Sequence, residues 1–146
     1  MTLMKKSIFF LITLLFALCS VPLAAEAVAA KNDTKFIVYY FHTTGRCPTC
    51  LKMEKYTNEA IKAYFPKELK SGKVEFKVVN VETPENEHFM KDYSLYTKSV
   101  VISEVKNGKE LRWKNFDKIW TKVRDKNEFM NYIKQETIDF MRGPKK

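Results

Sequence analysis

Read along the chain, the order strand, helix, strand, helix, hairpin, helix predicts a three-layer α/β domain, with a central mixed sheet of about four strands flanked by helices. Three observations carry this expectation. Phe36-Ile37-Val38-Tyr39-Tyr40-Phe41 is a continuous apolar and aromatic run of strand length, the pattern of a strand covered on both faces. Asn107-Gly108 separates two strand-like segments, Ser99 to Val105 and Lys109 to Trp113, as a two-residue hairpin turn does. Helical spacing recurs at Met53, Thr57, Ile61 and Tyr64, and again at Phe129, Tyr132, Ile133, Glu136 and Phe140.

The first thirty residues have a different composition. Lys5 and Lys6 precede an apolar run from Ile8 to Leu18, followed by Pro22 and the small-residue sites Ala25-Glu26-Ala27 and Val28-Ala29-Ala30. This predicts a signal peptide over residues 1–27, with cleavage as late as residue 30, and a domain over 28–146. The expected location is periplasmic or otherwise extracytoplasmic. The alternative is a membrane-anchored domain, because no charge interrupts Ser7 to Ala25, about the length that spans a bilayer. Lipoprotein processing is disfavoured, since the large Leu18 precedes Cys19.

Lys31 to Lys35 is a polar lead-in to the first strand, and His42-Thr43-Thr44-Gly45 is the loop that leaves it. A helix from Cys47 onward ends at Pro66, and Ser71-Gly72 makes a turn. Val74 to Val81 alternates and then runs apolar, as a strand entering a covered sheet does. Thr83-Pro84-Glu85-Asn86-Glu87 predicts a helix start with Pro84 in its first turn, running to about Tyr93. After the hairpin, Phe116, Ile119, Trp120 and Val123 mark a short helix, and Gly143-Pro144 closes the last one. Trp113, Trp120 and the stripe from Phe129 to Phe140 are expected to be core aromatics without chemistry.

The chemistry concentrates at Arg46-Cys47-Pro48-Thr49-Cys50. Residues i and i+3 are neighbours on one helical face, so a helix beginning near Cys47 holds the two sulfurs close enough to form and break a disulfide. A helix N-terminus favours an anion, and Arg46 adds a full positive charge beside the first thiol. Pro48 suits a first helical turn, where its missing N–H is not required. Cleavage of the leader removes Cys19 and leaves Cys47 and Cys50 alone. A secreted domain stapled for stability closes long loops with several bridges, so one short-spaced pair outside the cytoplasm is better explained as redox chemistry.

At this junction of buried strand and CxxC helix the chain resembles the thioredoxin-like proteins. The resemblance implies a thioredoxin-like fold and a thiol–disulfide oxidoreductase that works as a monomer, without a cofactor, on protein disulfide or dithiol partners. It makes Cys47 the exposed nucleophile and Cys50 the resolving thiol. It extends through Val79-Asn80-Val81-Glu82, the segment from Pro84 to Tyr93, and the Asn107-Gly108 turn.

More narrowly, Tyr39-Tyr40-Phe41-His42, Arg46-Cys47, Thr49-Cys50, Pro84-Glu85-Asn86-Glu87-His88-Phe89 and Lys98-Ser99-Val100 resemble a bacterial subfamily of thioredoxin-like subunits of a nitrophenyl-compound (arsenical) nitroreductase. That likeness implies an electron-relay subunit of a multi-protein reductase, fed by a membrane thiol carrier. The chain departs from ordinary thioredoxin in three places. No Trp precedes the first Cys, where the loop offers His42 as a proton shuttle and Arg46 as a thiolate stabiliser. Tyr40 lies near the place of a buried carboxylate. Lys98 and Ser99 stand near the expected cis-proline and become the substrate-docking positions.

The net charge of +9 falls to +8 without Lys5, Lys6 and Glu26 and is spread along the chain. A nucleic-acid partner is not expected of an exported protein; a solvated lysine-rich exterior is. No metal site is expected either, because no second CxxC follows and His42 and His88 are the only histidines. Leu51 stands where covalent haem attachment needs His. The rival from another functional class is a non-catalytic dithiol that sequesters a soft metal or metalloid.

Overall fold

The computed structural model describes residues 34–144, so the leader reading over residues 1–27 lies outside the described residues. The elements are β1 (Thr34–His42), α1 (Pro48–Tyr64), α2 (Pro66–Lys70), β2 (Val74–Asn80), α3 (His88–Asp92), β3 (Ser99–Lys106), β4 (Lys109–Asn115), α4 (Ile119–Lys122) and α5 (Lys126–Arg142). The sheet order is β2-β1-β3-β4. β1 runs parallel to β2 and antiparallel to β3, and β3 is antiparallel to β4. Helices cover both faces, and this is the thioredoxin-like α/β arrangement that the sequence led us to expect.

The apolar run of β1 is explained by its two neighbours and two faces. Phe36, Val38 and Tyr40 point to one side, where they meet Met53, Ala60 and Ile61 of α1 and Phe129, Ile133 and Phe140 of α5. Ile37, Tyr39 and Phe41 point to the other, against Val81, Tyr93, Leu95 and Val101. The second face is aromatic: Phe89 and Tyr93 stack at 5.7 Å, and both approach Tyr39 and Phe41. The hairpin turn behaves as its residues require, with φ of 52° at Asn107 and 77° at Gly108. Two successive left-handed residues match the twist of the strands they join.

Four expectations need correction. Pro84 does not open a helix: Thr83 O accepts from the N–H groups of both Asn86 and Glu87, and the regular helix begins only at His88. The Asn86 side chain stabilises that turn by donating to Asn80 O and Thr83 Oγ1. Pro66 starts α2 rather than simply ending α1. β2 is an edge strand, which leaves Val78 exposed instead of covered. Trp113 and Trp120 are each 39% exposed, not core. Both are amphipathic rings at a margin: Trp113 meets Tyr93 edge-on at 5.2 Å, and Trp120 Nε1 donates to Lys98 O at 3.1 Å.

One backbone feature sets the path toward the site. α3 ends in a Schellman motif, with Leu95 N–H on Met90 O, Ser94 N–H on Lys91 O, and Ser94 in the left-handed region at φ 49°. The chain reverses there and carries Tyr96, Thr97 and Lys98 to the end of the sheet where β1 finishes. Ser99 pairs with Phe41 in that register.

Candidate functional site

From β1 the chain goes to β2 on one side through α1, and later to β3 on the other. The carboxyl end of β1 is therefore a switch point, the usual place for a site in an open α/β sheet. Cys47 and Cys50 sit there as a disulfide, with Cα atoms 5.0 Å apart. Cys47 is the N-cap of α1 in extended conformation, and its Sγ accepts from Cys50 N–H at 3.1 Å. Pro48 follows in the first turn, where no N–H is needed. The sulfurs differ in access: Cys47 is exposed, whereas Cys50 is 1% exposed on the face that continues through Met53, Thr57 and Ile61.

Beneath Cys50 lies Tyr40, fully buried, whose hydroxyl donates to Cys50 O at 2.7 Å. Burial pushes its phenol up to about 12, against a partly compensating pull from Arg46. It is a donor at neutral pH and not a base. Tyr40 thus ties the first turn of α1 to the central strand.

The structure brings His42 and Arg46 together. His42 Nδ1 lies 2.9 Å from Thr43 O, and since a carbonyl only accepts, Nδ1 carries the proton. Nε2 is then free to accept from Arg46 Nη1 at 3.4 Å. Arg46 Nη2 is ion-paired with Glu54 on α1. Its Nε is buried without a hydrogen-bond partner among the described residues. So Arg46 bridges the loop to the helix, and its charge is shared with a carboxylate that sequence reading did not single out. Glu54 lies one helical turn beyond Cys50, which was the available signal.

A second carboxylate was also missed. Glu82 Oε2 accepts Thr44 N–H at 2.8 Å, and Asn80 Nδ2 donates to Thr44 Oγ1 at 3.1 Å. Hydrogen bonding from the Thr44 backbone N–H first and its hydroxyl second, with smaller contributions from Lys98 and His42, holds the Glu82 carboxyl below the ordinary carboxylate range. The contact is accordingly present at neutral pH and is lost only as pH falls through that lowered value.

Lys98 and His42 line one small hollow of about 40 Å³ with Phe41, Thr43, Val81, Met90, Tyr96 and Thr97. Tyr96, 93% exposed, stands at its rim. Ser99 is buried, and its hydroxyl donates to Thr97 O at 2.9 Å, so it faces its own chain. Lys98 O is taken by Trp120. The two docking candidates therefore sit at the expected end of the sheet but differ in access.

Fold and site together define a class: a thioredoxin-like α/β domain with a CxxC disulfide at a strand-to-helix junction. No family model matches the sequence, and no curated protein matches it. Among solved structures, the chain is similar to the thioredoxin of Fasciola hepatica, with 26% identity and a TM-score of 0.36. That match covers 55% of this chain and 66% of that one, so it spans just under two thirds of the Fasciola protein. It is similar to a thioredoxin from Thermus thermophilus at 18% identity and a TM-score of 0.42, over 71% and 75% of the two chains. The oxidised thioredoxin of Plasmodium falciparum shows 19% identity and a TM-score of 0.37, over 58% and 69%.

Proposed function

We propose that this chain is a thiol–disulfide oxidoreductase. One observation carries the reading: a bonded cysteine pair at a helix N-terminus, one sulfur exposed and the other buried. In the reduced protein, Cys47 thiolate attacks a partner disulfide, forms a mixed disulfide and releases one partner thiolate. Cys50 then attacks Cys47 Sγ, closes the intramolecular disulfide and releases the second thiolate. Two electrons pass from the dithiol to the partner, and the reverse sequence oxidises a partner dithiol.

Equilibration with glutathione tests this reading. Reversible exchange at about −270 mV marks a reductant and at about −120 mV an oxidant. Absence of exchange, with retention of a soft metal or metalloid by the reduced pair, replaces the enzyme with a binding protein.

Arg46 adjoins Cys47 in sequence, and the positive charge of its guanidinium, shared with Glu54, supports a stabilised thiolate. Arg46→Ala is expected to raise the pH midpoint of Cys47 alkylation, and Glu54→Gln, which releases the guanidinium, to lower it. Each shift is about one unit or less for partly exposed charges. Identical midpoints in all three proteins would leave the helix terminus as the only source of stabilisation.

The finer reading is an exported, monomeric electron-relay subunit serving a multi-protein reductase and recharged by a membrane thiol carrier. Its support is the likeness at Tyr39 to His42, Arg46-Cys47 and Lys98 to Val100, together with the leader composition of residues 1–27. Mass spectrometry of the exported protein is expected to show a first residue between Val28 and Lys31. An intact Met1 would point to the membrane-anchored form.

A further inference from the structure

We propose that Glu82 and Asn80 are positioning residues for Cys47, acting as a latch on the loop that presents it; this rests on the redox reading above. The loop from Thr43 to Arg46 has no strand or helix ladder of its own, and a Cβ at Gly45 would meet nothing within 4 Å. Where Cys47 points depends on what holds this loop. Its upstream end is fixed by Val81 N–H on His42 O at 2.9 Å, and its downstream end by the ion pair of Arg46 with Glu54.

Among the described residues Thr43 bonds only to His42 and Gly45 beside it, and the middle is tied to β2 and the segment after it at Thr44, from two directions: Glu82 takes the backbone N–H and Asn80 binds the hydroxyl. Asn80 is fixed in turn, because its Oδ1 accepts Glu82 N–H at 3.1 Å and its backbone carbonyl accepts from Asn86 Nδ2 at 3.1 Å and Thr83 Oγ1 at 3.3 Å. Asn86 Nδ2 also reaches Thr83 Oγ1 at 2.9 Å. The turn that displaced the expected start of α3 is therefore the base of the latch.

Two effects of Glu82 on a Cys47 thiolate oppose each other. Its negative charge disfavours the anion, but the carboxylate is exposed, where screening leaves such terms small. Its hydrogen bond keeps the loop in the one path that leaves Cys47 Sγ over the Cys50 N–H, 3.1 Å away, where that N–H and the helix terminus stabilise the anion. Holding a group in a productive geometry outweighs a weak screened charge, so the latch effect dominates.

The test compares Glu82→Ala and Glu82→Gln in the full reduced chain, reading iodoacetamide alkylation of Cys47 against pH and the equilibrium with glutathione. Glu82→Ala is expected to raise the alkylation midpoint by about half a unit, and so to shift the equilibrium about threefold toward the disulfide. Glu82→Gln keeps an oxygen acceptor for Thr44 N–H and is expected not to raise it. Both variants moving downward together would mean that the carboxylate acts by charge alone, and the proposal fails. Unchanged midpoints with a lowered melting temperature would reduce the latch to a stabilising contact, and it fails again.

Should Glu82→Ala not fold, Thr44→Val keeps the N–H that Glu82 accepts, removes the contacts of the hydroxyl with Asn80 and Glu82, and is expected to shift the midpoint upward by a smaller amount; no upward shift overturns the proposal. A wild-type protein that never exchanges with glutathione overturns the redox reading instead. The latch is then judged by the alkylation midpoints alone.

Discussion

Cys50→Ser will accumulate mixed disulfides with partner proteins through Cys47, recoverable on a non-reducing gel, while Cys47→Ser will trap almost none. The argument starts from access. A sulfur must be approached in line by the disulfide it attacks, and Cys47 is exposed at the N-cap while Cys50 is 1% exposed, with the Tyr40 hydroxyl on its carbonyl. Anion stabilisation points the same way, because Cys47 Sγ is the sulfur that receives the Cys50 N–H. Without Cys50 nothing intramolecular resolves the first adduct, and its lifetime passes to external thiols. Cys47→Ser leaves a sulfur that partners cannot reach. Equal trapping by the two variants would reverse the assignment, and trapping by neither, with loss of a bound soft metal, would favour the binding reading.

The parts of this site that sequence made visible are those whose signal is local. A strand buried on both faces is apolar throughout, so β1 was legible. Two left-handed positions select Asn-Gly, so the hairpin was legible. A thiol pair spaced for one helical face, with Pro between, declared both the helix start and the disulfide. The parts that were not legible depend on residues distant in the chain. Thr44 and Glu82 are 38 positions apart, and nothing in Val79-Asn80-Val81-Glu82 announces that its polar members bond to a loop.

Pro84 shows a different kind of miss. Its composition fits a first helical turn, but Thr83 and Asn86 close a tight turn first, and local side-chain hydrogen bonds outcompete helix propagation. The two tryptophans were misassigned because spacing reports which face a residue occupies, not whether that face ends at a margin. Trp113 sits on β4, the last strand of the sheet, and Trp120 on a helix of four residues.

The largest expected loss of stability follows from the contact between the two long helices. Phe129 is fully buried, packs edge-on against Tyr56 of α1 at 5.9 Å, and shares one apolar cluster with Met53, Ile61 and Val38. It enters just after the N-cap Asp125, which accepts Glu128 N–H at 2.9 Å, so its backbone is already fixed when the ring packs. A rigid surround collapses poorly into a void, and Phe129→Ala should cost about 3–5 kcal/mol, a large part of the roughly 5–15 kcal/mol of a typical domain. Phe129→Leu, which keeps most of the volume, should cost less than about 1.5 kcal/mol. Urea unfolding followed by tryptophan emission measures both, since Trp113 and Trp120 move from a margin to water. The site responds through α1: once Phe129→Ala opens the helix pair, Cys50 loses the cover that distinguishes it from Cys47. In urea below the wild-type midpoint, the reduced Ala variant should therefore alkylate at both cysteines, while wild type and Leu alkylate at Cys47. A Phe129→Ala protein as stable as Phe129→Leu, with Cys50 still protected, would show that α5 does not secure the helix that carries the disulfide.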